Sequence, residues 1–233
     1  MIPSNVRVIA LDAAGTIIAP LPDVNVVYRD VAKLHGYELD AEQIRLRFTP
    51  AMQAYFPLAW DSVVARTDED KQWHAWKSLV ATVLAEIPSL ALEPIFLALW
   101  NHFRKPESWF VFQDVEPTIS RLKELGLLVV VASNFDKRLH DLRAGHASLR
   151  QVDHWFASVE VGYQKPCVEF YREIEKSLGV DSQAIMMVGD SWIADYQGAI
   201  NAGWQAFYLD RSLAIGQNSP SHTIRSLEQL LSN

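Results

Sequence analysis

VRVIALDAAGTIIAP, Val6 to Pro20, is the stretch from which the rest of the chain can be read. Its first part, Val6 to Leu11, is apolar except for Arg7, the pattern of a strand buried on both faces of a parallel sheet. Asp12 ends the run. A carboxylate at the carboxyl end of a central parallel strand stands where open α/β sheets bind ligands, and Gly15 allows a sharp turn just beyond it. An Asp after a strand also serves as an ordinary turn or helix-cap residue, so this stretch alone leaves both roles open.

Composition bounds what can surround this strand. With 233 residues, 49% of them hydrophobic, the chain buries one substantial core with room for a sizeable insertion. Lys and Arg total 21 against 28 for Asp and Glu, a formal net charge of −7 that gives no electrostatic reason to expect a nucleic-acid partner. A small anionic ligand would need a local positive site. One cysteine, Cys167, excludes an internal disulfide and reads as a small semi-buried residue rather than a reactive thiol. The N-terminal apolar run is short and broken by Asp12, unlike a signal peptide, and no stretch approaches about 18 uncharged apolar residues, so no membrane partner is expected. A cytoplasmic protein is expected.

Beyond Thr16 the periodicity becomes helical. Val24, Val27, Val31 and Leu34 fall on one helical face before Gly36-Tyr37. Asp40, with Gln43 three residues on, has the form of a capping box for a helix carrying Ile44, Leu46 and Phe48. Thr67-Asp68-Glu69-Asp70 opens a helix whose apolar face runs through Trp73, Trp76, Val80, Val83, Leu84 and Ile87 to a stop at Pro88, and another spans about Leu90 to Phe103. Residues 19–107 thus read as an all-helical insertion without a strand. Its tryptophans, Trp60, Trp73, Trp76 and Trp100, are expected mainly to pack a small bundle, with room for one or two to face a substrate.

From Asp114 helices and strands alternate. A helix from Glu116 to Leu125, capped by Asp114 and stopped by Gly126, precedes the apolar strand Leu127 to Ala132, which ends at Ser133-Asn134. Asp136 begins a helix. Ala157 to Val161 reads as a short strand leading to Lys165-Pro166, Glu169 to Leu178 as a helix, and Ala184 to Val188 as a strand ending at Gly189-Asp190. A helix around Asp195 to Asn201 and a strand from Gln205 to Leu209 complete an α/β pattern whose right-handed crossovers imply a parallel sheet.

In such a sheet the strand ends at Asp12, Ser133, Lys165 and Asp190, with Asp195 five residues further, meet on one edge. A nucleophile, a hydroxyl, a cation and an acidic pair suit displacement at an anionic centre. Asp12 would attack phosphorus and form an acyl phosphate. Mg²⁺ held by Asp12 and Asp190 would neutralise the facing carboxylates and the phosphoryl oxygens. Ser133 and nearby backbone N–H groups would bind the phosphate, and Lys165 would offset charge in the transition state.

These residues resemble the haloacid dehalogenase-like (HAD) hydrolase superfamily. DAAGT at Asp12–Thr16 is similar to its first motif, VASN ending at Ser133-Asn134 to its second, Lys165-Pro166 to its third and GDSWIAD at Gly189–Asp195 to its fourth. SNFDKRL, KPCVEFYREI and GDSWIADYQGA look closest to the subgroup called haloacid dehalogenase-like hydrolase domain-containing protein 3. The resemblance implies a Rossmann-like core formed by residues 1–18 and 108–233, with residues 19–107 as a mobile helical cap. It also implies phosphate binding by Ser133, Asn134 and Lys165, metal ligation by Asp12, Asp190 and the Ala14 carbonyl, and a supporting role for Asp195. The expected ligand is a small phosphorylated molecule.

One departure bears on activity. The family's phosphatases carry a second Asp two residues after the nucleophile, which protonates the leaving group and then activates water; this chain has Ala14. Loss of such a group costs about 10²- to 10⁴-fold in rate, so a weak or narrow phosphatase is expected. Histidines of the insertion, His35, His74 and His102, are the residue type that could replace it. The family offers two further reaction classes. A 2-haloacid dehalogenase also lacks the second Asp, but resembles a metal-free site with Ser where this chain has Asp190. A phosphonate hydrolase shares Asp-x-Ala-Gly-Thr but uses a Schiff-base lysine from the cap, where Lys33, Lys71 and Lys77 stand in unrelated sequence. Outside enzymes, Ala14 fits a phosphate-ligand binding protein that has lost turnover.

Overall fold

The computed structural model describes residues 2–214 and 220–232. Its strands are β1 (Val8–Leu11), β2 (Ile18–Pro20), β3 (Trp109–Val111), β4 (Leu128–Ser133), β5 (His154–Ala157), β6 (Ile185–Gly189), β7 (Gln205–Leu209) and β8 (Thr223–Ile224). Six of them form a parallel sheet in the order β5-β4-β1-β6-β7-β8, while β2 and β3 pair antiparallel. Helices α1 (Val24–Leu34), α2 (Ala41–Tyr55), α3 (Glu69–Val83) and α4 (Leu92–His102) lie between β2 and β3. Helices α5 (Val115–Glu124), α6 (Arg138–Gly145), α7 (Ser158–Val161), α8 (Val168–Leu178) and α9 (Gly198–Asn201) accompany the sheet, with a π-helical turn, Trp192–Gln197, before α9.

The unbroken apolar character of β1 follows from its central place between β4 and β6. Ile9 and Leu11 pack on one face with Val129, Val131, Met186 and Val188; Val8 and Ala10 pack on the other with Val130, Ala132, Ile185 and Met187. Both faces are dry, so alternation disappears from the sequence. Leu11 pairs with Val131 on one side and Val188 on the other. That register brings Asp12 and Asp190, which follow β1 and β6, and Ser133, which ends β4, to one edge.

The helices between β2 and β3 have their own apolar core, including Val27, Tyr28, Ile44, Leu79, Val83 and Leu99, separate from the two clusters on the sheet. The fold is therefore a Rossmann-like α/β sheet with an inserted helical cap. The chain leaves and re-enters the core through the β2–β3 ribbon, in which Ile18 pairs with Val111 and Pro20 with Trp109. Of the insertion read as strand-free, residues 19–107, only Ala19 and Pro20 depart, as the end of β2; a three-residue strand is too short to show a period.

Several local expectations change. The strand expected over Ala157–Val161 is instead β5, ending where Ala157 pairs with Ser133; from Ser158 the chain turns into α7, with the Ser158 hydroxyl donating to the Phe135 carbonyl. Leu34 and Leu46 lie on exposed faces, and Tyr28 and Ala32 share the buried face of α1 with Val27 and Val31. Helix α3 ends at Val83, before Pro88. Asp40 caps α2 through the Glu42 N–H. Asp114 does not cap α5 with its side chain; it accepts from both terminal nitrogens of Arg211, the Ser226 hydroxyl and the Leu227 N–H, which ties the last segment to the core. No helix among the described residues is long and apolar enough to cross a membrane.

Candidate active site

The centre of the site is Lys165, 1% exposed. Its ammonium donates to Asp12 Oδ1 at 2.7 Å, Asp195 Oδ1 at 2.6 Å and the Ala132 carbonyl at 2.8 Å, which engages all three N–H bonds. Burial opposes its charge, but the Asp12 and Asp195 carboxylates more than compensate and raise its pKa. The lysine is therefore a fixed cation. It draws one oxygen of Asp12 into a defined position, while Asp12 Oδ2 has no hydrogen-bond partner among the described residues.

Lys165 is placed by Asn134. The Asn134 amide accepts from the Lys165 N–H at 2.7 Å and donates to the Lys165 carbonyl at 2.9 Å, clamping the loop to the end of β4. Asp195 is likewise engaged, with Lys165 on one oxygen and the Ser191 N–H on the other at 2.9 Å. Burial raises the Asp195 carboxyl while Lys165 pulls it down; the two charge-assisted contacts are those of the ionised form. The Ser133 hydroxyl, at the end of β4, has no hydrogen-bond partner among the described residues.

Asp190 completes the cluster. Ligand atoms of Asp12, Asp190 and Asp195 lie within 4.8 Å of one another. Two glycines make this approach possible. Gly15 has φ +88°, and a Cβ there would sit 2.2 Å from Asp190 Oδ2; a Cβ on Gly189 would sit 2.2 Å from Asp195 Cγ. Thr16, fully buried, accepts from the Asp190 N–H at 3.1 Å and reaches its Oδ1 at 3.3 Å. Partial burial, then the charges of Asp12 and Asp195, raise the Asp190 carboxyl to about 7.

Three carboxylates against one ammonium leave surplus negative charge. Because Lys165 and Ser191 occupy both oxygens of Asp195, Asp12 and Asp190 are the carboxylates left open to a cation, and an all-oxygen donor set suits a hard divalent ion. The site thus has the chemistry of a metal-binding position.

Beside this cluster, a cavity of about 280 Å³ lies between the helical cap and the sheet edge, touching the site at Ala14 and Asn134. Its wall is mostly apolar, with many aromatic rings. Trp76 and Trp100 line it, Trp73 packs on Phe96 and Trp100, and Trp60 is exposed, so the tryptophans divide between packing and facing the cavity. The wall contains one carboxylate, Asp136, bound by Arg138 through Nε at 2.8 Å and Nη2 at 2.6 Å. None of the three candidate histidines, His35, His74 and His102, lines the cavity. Lys33 and Lys77 pair with Glu38 and Glu93, Lys71 donates to the Arg66 carbonyl, and none lines the cavity. The Cys167 thiol is buried, donates to Glu169, and is pushed up to about 11 by burial and then that carboxylate, which makes it unreactive.

Sequence reading placed the polar strand-end residues but missed Thr16, Tyr28, Asp136 and Arg138. The Asp136-x-Arg138 spacing was visible; its burial against Trp100 depends on tertiary contacts.

Comparison with known proteins identifies the class. The profile of the haloacid dehalogenase-like hydrolases matches residues 6–203, and the chain belongs to that family. It is similar over most of its length to the domain-containing protein 3 subgroup: the mouse (Mus musculus) protein of that name is 29% identical over 97% of this chain and 92% of its own length. A phosphoserine phosphatase from Thermus thermophilus is 22% identical over 89% of this chain and 90% of its own. The structure of L-2-haloacid dehalogenase from Xanthobacter autotrophicus, with chloropropionic acid covalently bound, superimposes with TM-score 0.70 at 18% identity, covering 97% of this chain and 96% of that one.

Proposed function

We propose that this hydrolase is a Mg²⁺-dependent phosphoric monoester hydrolase of weak or narrow activity, acting on a small phosphorylated molecule with Asp12 as nucleophile. The observation that carries the reading is the pairing of a Lys165-anchored Asp12 with an open Asp190 carboxylate. Asp12, Asp190 and the Ala14 carbonyl would hold the Mg²⁺, which when bound supplies charge neutralisation for the phosphoryl oxygens.

The chain's own groups would do the rest. An oxygen of Asp12 bonds to phosphorus as the ester P–O bond breaks, and the electron pair leaves on the alcohol oxygen. Lys165 keeps Asp12 aligned, while the Ser133 hydroxyl donates to a phosphoryl oxygen. Water then attacks phosphorus, the bond to Asp12 breaks, and phosphate and the carboxylate are released. Ala14 offers no proton to the departing oxygen, so alcohols that leave readily as anions are favoured. Motion of residues 19–107 about Leu21-Pro22 and Lys105-Pro106 would admit the substrate and exclude water on closing.

Asp190 disfavours dehalogenation, since it adds negative charge where a haloacid anion would bind. Ala14 is the specific observation favouring a second reading, a phosphate-ligand binding protein without turnover. A screen of phosphate esters with and without Mg²⁺ separates them. Metal-dependent phosphate release that disappears in Asp12→Asn supports the phosphatase; ligand binding without release supports the binder.

A further inference from the structure

The cavity beside the site holds polar groups that the fold leaves without partners. Tyr28 is 2% exposed, its ring packs against Phe48 and Phe103, and it lines the cavity. Nothing among the described residues hydrogen-bonds its hydroxyl. Trp76 Nε1 is buried without a partner. Arg138 uses Nε and Nη2 for Asp136, while Nη1 makes no hydrogen bond among the described residues. Its guanidinium lies 3.7 Å over the Trp100 ring and 5.5 Å from that of Trp76. Buried polar groups are ordinarily paired, and several orphans on one apolar cavity call for a ligand atom.

We propose that this cavity binds the alcohol portion of the substrate, and that this portion is a small flat apolar group bearing an uncharged hydrogen-bond acceptor received by the Tyr28 hydroxyl and Arg138 Nη1. The inference rests on the reading of the chain as a phosphatase and names its substrate class. Neutrality follows from Asp136. Its bidentate grip already balances the Arg138 charge, so a carboxylate would have to shed water into an aromatic cavity and face Asp136 with no free cation in return. A carbonyl oxygen needs only donors, which Tyr28 and Arg138 supply. Flatness follows from the indole walls, and the volume, about 280 Å³, lies just below the usual range for drug-sized ligands, about 300–1,000 Å³, which suits a single ring with a short substituent.

The test uses product alcohols, so it requires no turnover. Phenol, 4-hydroxyacetophenone and 4-hydroxybenzoate are titrated into the full chain, following the tryptophan indole N–H resonances by NMR. The ketone is expected to bind about two- to tenfold more tightly than phenol, the yield of a hydrogen bond, with the carboxylate no better than phenol. In Tyr28→Phe, which removes one oxygen, the ketone's advantage should shrink while phenol affinity holds. Arg138→Lys, which keeps a cation beside Asp136, should act in the same direction. A ketone no tighter than phenol, an advantage unchanged in Tyr28→Phe, or preference for the carboxylate overturns the proposal. Binding as expected without phosphate release from any ester would reject the phosphatase reading and leave the ligand assignment standing.

Discussion

The carboxyl edge of the sheet and the cavity beside it use charge in opposite ways. At the edge, Asp12, Asp190 and Asp195 face one ammonium, and the imbalance is a feature that a cation can exploit. In the cavity, the single arginine is matched by the single carboxylate, and the remaining wall is largely apolar. The first arrangement suits a step in which charge moves; the second suits recognition by shape and a few neutral hydrogen bonds. Ala14 stands at the junction, where a methyl group occupies the place from which a phosphatase would deliver its proton.

The largest effect is expected at the edge. Asp12→Asn should reduce Mg²⁺-dependent phosphate release on the order of 10⁴-fold or more, as loss of a nucleophile does, while leaving binding of the alcohol portion near wild type. A variant retaining substantial turnover would remove Asp12 from the centre of the account. In the cavity the corresponding substitution should act on stability. Arg138→Ala strands a buried Asp136 and should destabilise the fold by roughly 3–5 kcal/mol in urea unfolding, whereas an exposed pair such as Arg121 and Glu124 should contribute roughly 0–1 kcal/mol. Equal costs would mean that Arg138 and Asp136 are solvated in solution.

Ala14→Asp should raise kcat/KM for an alkyl phosphate by up to about 10²-fold, the lower end of what a general acid contributes, and should help an aryl phosphate much less. Wild-type rates that do not depend on the leaving group, with no gain in the variant, would show that a proton reaches the alcohol from elsewhere. A smaller effect is expected on pH dependence. Asp190 titrates near 7 in the folded protein, against an ordinary carboxyl near 4 when unfolded, so the metal-free fold retains a proton that the unfolded chain has released. Its contribution is complete below about 4 and is lost as pH rises to about 7. Thermal melts across that window should show a decline that lessens in Asp190→Asn; an unchanged slope would place the titration elsewhere.

The edge was legible in the sequence because strands buried on both faces are uninterrupted apolar runs, so Asp12, Ser133 and Gly189-Asp190 announced themselves as the polar residues that end them. Lys165 was recognised although its strand was misplaced: β5 ends at Ala157, and the lysine returns to the edge through a loop clamped by Asn134. The Asp195 position was legible as spacing, but the π-helical turn that turns it under Gly189 was not. The cavity was barely legible. Tyr28 shares a helix face with valines, and Arg138 looks like a surface residue until Trp100, distant in sequence, packs on its guanidinium and its pair with the neighbouring Asp136 is buried.

The claim that the edge is a cation-dependent phosphoryl site is tested most directly by titrating metal-free protein with Mg²⁺ in a calorimeter at pH 8, in wild type and in Asp190→Asn. The account expects one saturable Mg²⁺ site per chain in the wild type that is lost in the variant, with affinity falling as the pH is lowered through about 7, where a proton on Asp190 competes with the ion. No saturable uptake at millimolar Mg²⁺, or uptake that Asp190→Asn leaves unchanged, would contradict it.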